Sequence, residues 1–228
     1  MRLSLDFMLE LQLMFLISKD FWEVRKTPKK GRGVFAAKDI EAGTIIGDYL
    51  GKVIHPADED QIDDSENFYL MYYHDRASIF PDLKKPGIYL MNHSCTPNSW
   101  MYTYKGHTLF FALRHIFPGE ELTLNYLLSP QDDLCAPCTH LCSCEGVICH
   151  QTMHLSKNRY AFWSDFHNEE MSRTKAERIR YGHDLPPLKT YPKAPSDHPV
   201  YDLFGSTHEK PAVMEESQLP SLRVIRSE

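Results

Sequence analysis

Tyr89-Leu90-Met91-Asn92-His93-Ser94-Cys95-Thr96-Pro97-Asn98 is the stretch whose reading decides the fold. An amide, an imidazole, a hydroxyl and a thiol stand in a row, with apolar residues before them and a Pro-Asn turn signal after. Such a run is poor core material, so it belongs where binding or chemistry is needed. Downstream, Pro118-Gly119 turns the chain into Glu120-Glu121-Leu122-Thr123-Leu124-Asn125-Tyr126, a short alternating strand that ends on a tyrosine. Cys142-Ser143-Cys144-Glu145-Gly146-Val147-Ile148-Cys149 follows, and Gly31-Arg32-Gly33-Val34-Phe35-Ala36 lies upstream.

The 228 residues suffice for one domain with a proper core plus appendages. With 31 acidic and 25 basic side chains, the mildly acidic balance argues against sequence-independent binding to nucleic acid, which needs clustered Lys and Arg. Basic partners fit better. The cysteines stand at 95, 135, 138, 142, 144 and 149. Dense C-x-C and C-x2-C spacing suits tetrahedral thiolate ligation of zinc better than independent disulfides, which implies a reducing compartment rather than a disulfide-bonded secreted protein. The apolar run from Leu3 to Ile17 is interrupted by Asp6, Glu10 and Gln12, lacks a cleavage site and is too short to span a bilayer. No membrane role follows from it.

Leu9, Leu13, Leu16 and Ile17 make a helical stripe within residues 3–18, although Leu3, Leu5 and Phe7 alternate as a strand would. Strands are expected over Phe21–Val24, Val34–Ala37, Thr44–Gly51 and Ala77–Asp82, with a hairpin of Trp100–Tyr104 and Thr108–Leu113 closed at Lys105-Gly106. Phe68–Tyr73 is aromatic enough for a strand or short helix beside a cleft. Acidic residues crowd Asp58 to Glu66, either as a solvated loop or as an attractor for a basic peptide. Ser164 or Asp165 caps an expected helix that runs to about Tyr181 and stops at Gly182. From Pro186 onward proline and charge predict an extended tail, in which Val200–Phe204 is a docking candidate.

In order and spacing, the four quoted motifs resemble those of SET-domain protein lysine methyltransferases with a zinc-binding post-SET segment, over about Val24 to Leu155. The resemblance implies a mostly β, β-rich α+β fold of several small sheets, in which Asn92–Cys95 passes beneath the segment ending at Tyr126 in a pseudoknot. Residues 1–20 then form a packing segment, 21–128 the SET domain, 129–156 the post-SET zinc segment, and 157–228 a helix and extended tail. The implied reaction is methyl transfer from S-adenosylmethionine to a protein lysine, with a histone tail as leading substrate, a non-histone basic protein next, and a catalytically silent chromatin-binding module as the alternative class. The implied place is the nucleus, the cell's own or a host's, with the cytoplasm as alternative. Direct sequence-specific recognition of nucleic acid is not implied, and the oligomeric state stays open.

By the same resemblance Tyr126 is catalytic and Tyr49 lines the lysine channel, where an ordinary half-buried strand tyrosine is the competing reading. Lys30, Arg32, Gly33, Tyr69, Asn92, His93 and Met153 match cofactor contacts. Cys95, Cys142, Cys144 and Cys149 match the ligands of a structural zinc. Tyr89-Leu90 stands where Arg-Phe is common, and Asn125 where Asp is common. Leu124 stands where the family often has Phe or Tyr, and Met101 where another such tyrosine can lie; with neither hydroxyl present, methylation beyond the first methyl is expected. Cys135 and Cys138 stay open between a redox pair, half of a second site with His140, His150 or His154, an alternative ligand pair, and two plain loop thiols.

Overall fold

A computed structural model describes residues 14–15, 20–55, 57, 69–74, 77–146, 148–179, 188, 190–195 and 200. The expectations for residues 3–13, for the acidic run from Asp58 to Glu66, for the helix stop at Gly182 and for most of the C-terminal tail lie outside these residues.

The fold grows from hairpins. β2 (Trp22–Lys26) and β3 (Arg32–Ala36) pair antiparallel from Trp22↔Ala36 to Lys26↔Arg32. Gly31 closes their turn at φ +72°, left-handed backbone that favours glycine. β11 (Glu121–Leu124) runs antiparallel to β3 and parallel to the two-residue β8 (Asn92–His93), giving the order β2-β3-β11-β8. The polar motif is therefore a strand beside the segment that leads to Tyr126. Asn98 holds the crossing: its Nδ2 donates to Glu121 O at 2.9 Å, and Thr123 N–H donates to its Oδ1 at 2.9 Å.

β9 (Ser99–Tyr104) and β10 (His107–Ala112) form the expected hairpin. Lys105 and Gly106 both adopt positive φ, 49° and 83°, as a two-residue primed turn requires. β4 (Ile45–Asp48) covers the other edge of β10, whose six residues are all buried. The alternation explains why the run from Leu109 onward is apolar without a break. Phe110 and Ala112 face one core cluster, with Val34, Ile46 and Leu122, whereas Leu109, Phe111 and Leu113 face another, with Trp100. A third sheet, β5 (Lys52–Ile54), β7 (Ala77–Phe80) and β6 (Met71–His74), completes the body. The single strand expected over Thr44–Gly51 breaks after Asp48 because the chain bends at Tyr49-Leu50-Gly51 into β5.

The helix α1 spans Lys157–Ile179, so it starts earlier than the expected Ser164 or Asp165. Ser156 opens it: Tyr160 N–H donates to Ser156 O at 2.9 Å and Arg159 N–H to Ser156 Oγ at 3.4 Å. The extra turns are held by packing, since Tyr160 and Trp163 lie on the second cluster and Trp163 meets Trp100 edge to face, 5.8 Å between ring centroids. Glu170 lies mid-helix and buried, where its Oε1 accepts Thr103 N–H at 3.0 Å. Beyond the helix, β12 (Tyr191–Pro192) pairs with β1 (Met14–Phe15), so the chain at Met14–Phe15 is extended rather than helical.

Candidate active site

A cavity of about 230 Å3 opens between the turn after β2, the strand β8, the end of β11 and the segment that precedes α1. Lys29 and Lys30 contribute from the turn, Asn92 and His93 from β8, Tyr126 from the end of β11, and Ser143 and Met153 from the segment before the helix. Five of the residues singled out in the sequence, Lys30, Asn92, His93, Tyr126 and Met153, thus line one cavity. Small-molecule sites usually measure roughly 300–1,000 Å3, so a larger ligand extends beyond this cavity.

Glu121 organises the polar side, and sequence reasoning assigned it no role. Its carboxylate pairs with Lys30 Nζ and accepts Asn92 Nδ2–H at 2.7 Å. Asn92 Nδ2 also donates to Arg32 O at 3.0 Å. With both amide protons committed to acceptors, Asn92 offers a ligand its carbonyl oxygen. Gly33 makes the arrangement sterically possible, because a Cβ there would lie 2.6 Å from Glu121 Oε1 and 2.8 Å from Asn92 Nδ2. Gly33 therefore acts through its neighbours, and the Arg32 side chain interacts with the Tyr89 phenol.

His93 links two centres. Tyr126 N–H donates to His93 Nδ1 at 3.2 Å, which leaves the proton on Nε2, 3.7 Å from Cys95 Sγ. Burial pushes its pKa down to about 4, so the ring is neutral at working pH. The Tyr126 hydroxyl donates to Met91 O at 3.0 Å. Although the residue is 44% exposed, its phenol end is enclosed, and burial pushes the pKa up to about 12. Tyr49 is buried, its hydroxyl donates to Tyr69 O at 2.5 Å, and burial raises its pKa well above the usual phenol value, with Tyr126 the next contributor. Both hydroxyls have spent their protons on carbonyls. What remains for a ligand is oxygen lone pairs.

Tyr69 rests edge to face on Tyr89, ring centroids 5.2 Å apart. Met101 and Leu124 sit in the same apolar cluster as Tyr49, Met101 as the cross-strand partner of Phe110 and Leu124 as the partner of His93. Phe110 carries the contact onward, its ring 6.0 Å from that of Tyr49.

Cys95, Cys142, Cys144 and Cys149 converge, their sulfurs all within 4.8 Å of one another, and Cys95 Sγ lies 3.6 Å from Cys142 Sγ. The sulfur–sulfur edge of a zinc tetrathiolate is about 3.8 Å, from zinc–sulfur bonds of about 2.3 Å. Backbone N–H groups also point at the sulfurs, His150 at Cys95 (3.4 Å), Cys144 at Cys142 (3.4 Å) and Gln151 at Cys149 (3.3 Å), which favours thiolates. The donor set fits zinc. Cys135 and Cys138 do not stand alone as two loop thiols, since they meet His140 and His154 in a second group.

Residues 31–127 match the SET domain family model. Among curated proteins the chain is 31% identical over 145 residues to the "Histone-lysine N-methyltransferase trithorax" of Drosophila virilis, a match covering 60% of this chain and 4% of the relative. It is 37% identical over 127 residues to the "Histone-lysine N-methyltransferase, H3 lysine-36 specific" of Eremothecium gossypii, covering 50% of this chain and 18% of the relative. A crystal structure of Arabidopsis thaliana SUVH6 in complex with SAM superposes with a TM-score of 0.47 at 24% identity, covering 58% of this chain and 33% of that one. The chain spans less than a fifth of the length of these curated relatives.

Proposed function

We propose that this chain, whose residues 31–127 are a SET domain, is an S-adenosylmethionine-dependent protein lysine N-methyltransferase whose substrate is a histone tail, and that it acts in the nucleus. The observation that carries the reading is the convergence of Asn92, His93, Lys30, Met153 and the Tyr126 phenol on one cavity. The names of the curated relatives and the acidic balance of the chain support a basic peptide as substrate.

The bound cofactor supplies an electrophilic methyl group on a sulfonium. Asn92 presents a carbonyl oxygen fixed by Glu121, an acceptor suited to the cofactor's ammonium end. Met153 supplies an apolar contact from the segment before α1, over residues 129–156. Tyr126 stays a neutral phenol, so it is no general base at neutral pH. Its oxygen lone pairs and those of Tyr49 orient the amine by accepting its N–H groups. The buried, aromatic setting of Tyr49 favours neutral lysine, whose deprotonation at pH 7 costs about 4–5 kcal/mol from a pKa of about 10.4. Alignment of donor and acceptor does the rest, a contribution that reaches about 7–11 kcal/mol in oriented pairs. Cys95, Cys142, Cys144 and Cys149 hold a structural zinc that keeps this segment against the cavity.

Transfer of labelled methyl from S-adenosylmethionine to separated core histones tests the proposal. Labelling of one histone, lowered about 100-fold or more by Tyr126→Phe with unchanged cofactor affinity, is the expected result. Cofactor binding without labelling of any histone contradicts the histone assignment, and absence of cofactor binding contradicts the enzyme assignment.

A further inference from the structure

Outside the four-cysteine group lies a second convergence that the proposed reaction does not use. Cys135, Cys138, His140 and His154 place one ligand atom each within 4.8 Å of all the others. The sulfur–nitrogen distances are 3.3 Å (Cys135–His140 Nδ1), 3.4 Å (Cys135–His154 Nε2), 3.8 Å (Cys138–His140 Nδ1) and 3.4 Å (Cys138–His154 Nε2). A tetrahedron with zinc–sulfur bonds of about 2.3 Å and zinc–nitrogen bonds of about 2.0–2.1 Å has sulfur–nitrogen edges of about 3.6 Å. All four edges fall close to that length.

The tautomer of His154 supplies an independent sign. Its Nδ1 lies 2.6 Å from Ser129 O, a carbonyl that only accepts, so the proton is on Nδ1. Nε2 then carries a lone pair and aims it at both sulfurs. A metal-ligating histidine is typically held this way, its other ring N–H donated to a backbone carbonyl.

We propose that Cys135, Cys138, His140 and His154 form a second structural zinc site in this chain. Two thiolates and two neutral imidazoles balance the charge of the zinc ion, so the site adds no net charge beside the four-thiolate group. Its ligands bracket the other site in sequence: Cys135, Cys138 and His140 precede Cys142, Cys144 and Cys149, and His154 follows them. Backbone bonds cross between the two, Cys142 N–H to Gln151 O at 3.1 Å and Met153 N–H to His140 O at 2.9 Å. The segment has little apolar burial to hold it, since Leu141 is 68% and Ile148 57% exposed. A small unit without a core needs staples. The second zinc fixes His154 to Cys135 and Cys138, and with it the adjacent Met153 that lines the cavity. The site stands independently of the methyl-transfer reading.

Zinc content per chain tests the proposal on the full chain purified in reducing buffer without added metal. Wild type is expected to hold two equivalents and the Cys135→Ser/Cys138→Ser double variant one. In wild type, iodoacetamide is expected to spare Cys135 and Cys138 until a chelator is added, a readout that does not depend on the variant folding. A zinc content that the double variant leaves unchanged overturns the site, as does free alkylation of both thiols before chelation. A Cys135–Cys138 disulfide, seen as a loss of two hydrogens in mass, or iron in place of zinc, overturns it equally. If wild type holds one equivalent and the double variant none, this site stands and the four-cysteine site fails.

Discussion

The segment Ile88–Asn98 and the segment Cys135–Leu155 face each other across one cavity but are held by different means. In the first, His93, Ser94, Cys95 and Asn98 are all buried, β8 is paired with β11, and Asn98 bonds the backbone of Glu121 and Thr123. Burial and backbone pairing hold it. In the second, the backbone pairs are isolated bridges, Leu128↔His154 and Leu141↔Thr152, and large apolar side chains face solvent. In the reading proposed above, side-chain ligands hold that one. Where a chain cannot bury enough apolar surface, coordination can replace the core. Cys95 ties the two regions together, being buried with the first and clustered with the second.

Mutations separate these regimes. Trp100→Ala removes a 1%-exposed ring packed on Trp163 and is expected to cost about 3–5 kcal/mol in a denaturant melt; a loss below about 1 kcal/mol breaks the claim that burial holds the sheets. Cys149→Ser should do the reverse, leaving the sheet melt within about 1 kcal/mol while weakening S-adenosylhomocysteine binding about 100-fold in calorimetry. Gly33→Ala forces Glu121 and Asn92 apart, so affinity should fall about 10-fold with a stability loss of about 1–3 kcal/mol. Unchanged affinity would remove Glu121 from the account of the cofactor site. The smallest effect belongs to Leu124→Tyr, which should leave both regions in place and shift product mass spectra from higher methylation toward monomethyl-lysine. Wild-type product limited to monomethyl-lysine at long times would contradict the open-channel reading.

The strands were legible wherever alternation was local. The β9–β10 hairpin announced itself through Lys105-Gly106, and the Asn92–Cys95 motif through its run of polar groups, although His93, Ser94 and Cys95 turn out buried, their polar atoms paired within the fold. Glu121 was not legible, because its role appears only once β11 brings it beside both Lys30 and Asn92, residues remote in sequence. The early start of α1 was hidden for a similar reason: Tyr160 and Trp163 pack on the second core cluster, Trp163 against Trp100, and packing outweighs the cap signal at Ser164. Cys135-x2-Cys138 was visible as a pair, but the spacing left three histidines to choose from, and the chain path selects His140 and His154.

The central claim is that metal ligation completes a cofactor site against a sheet that stands without it. Titration of S-adenosylhomocysteine by calorimetry into the protein before chelation, after chelation and after zinc is restored tests it directly, with far-ultraviolet circular dichroism recorded at each stage. Binding that disappears on chelation and returns with zinc, over an unchanged strand spectrum, is the expected result. Binding that survives chelation, or a strand spectrum that collapses with it, contradicts the claim.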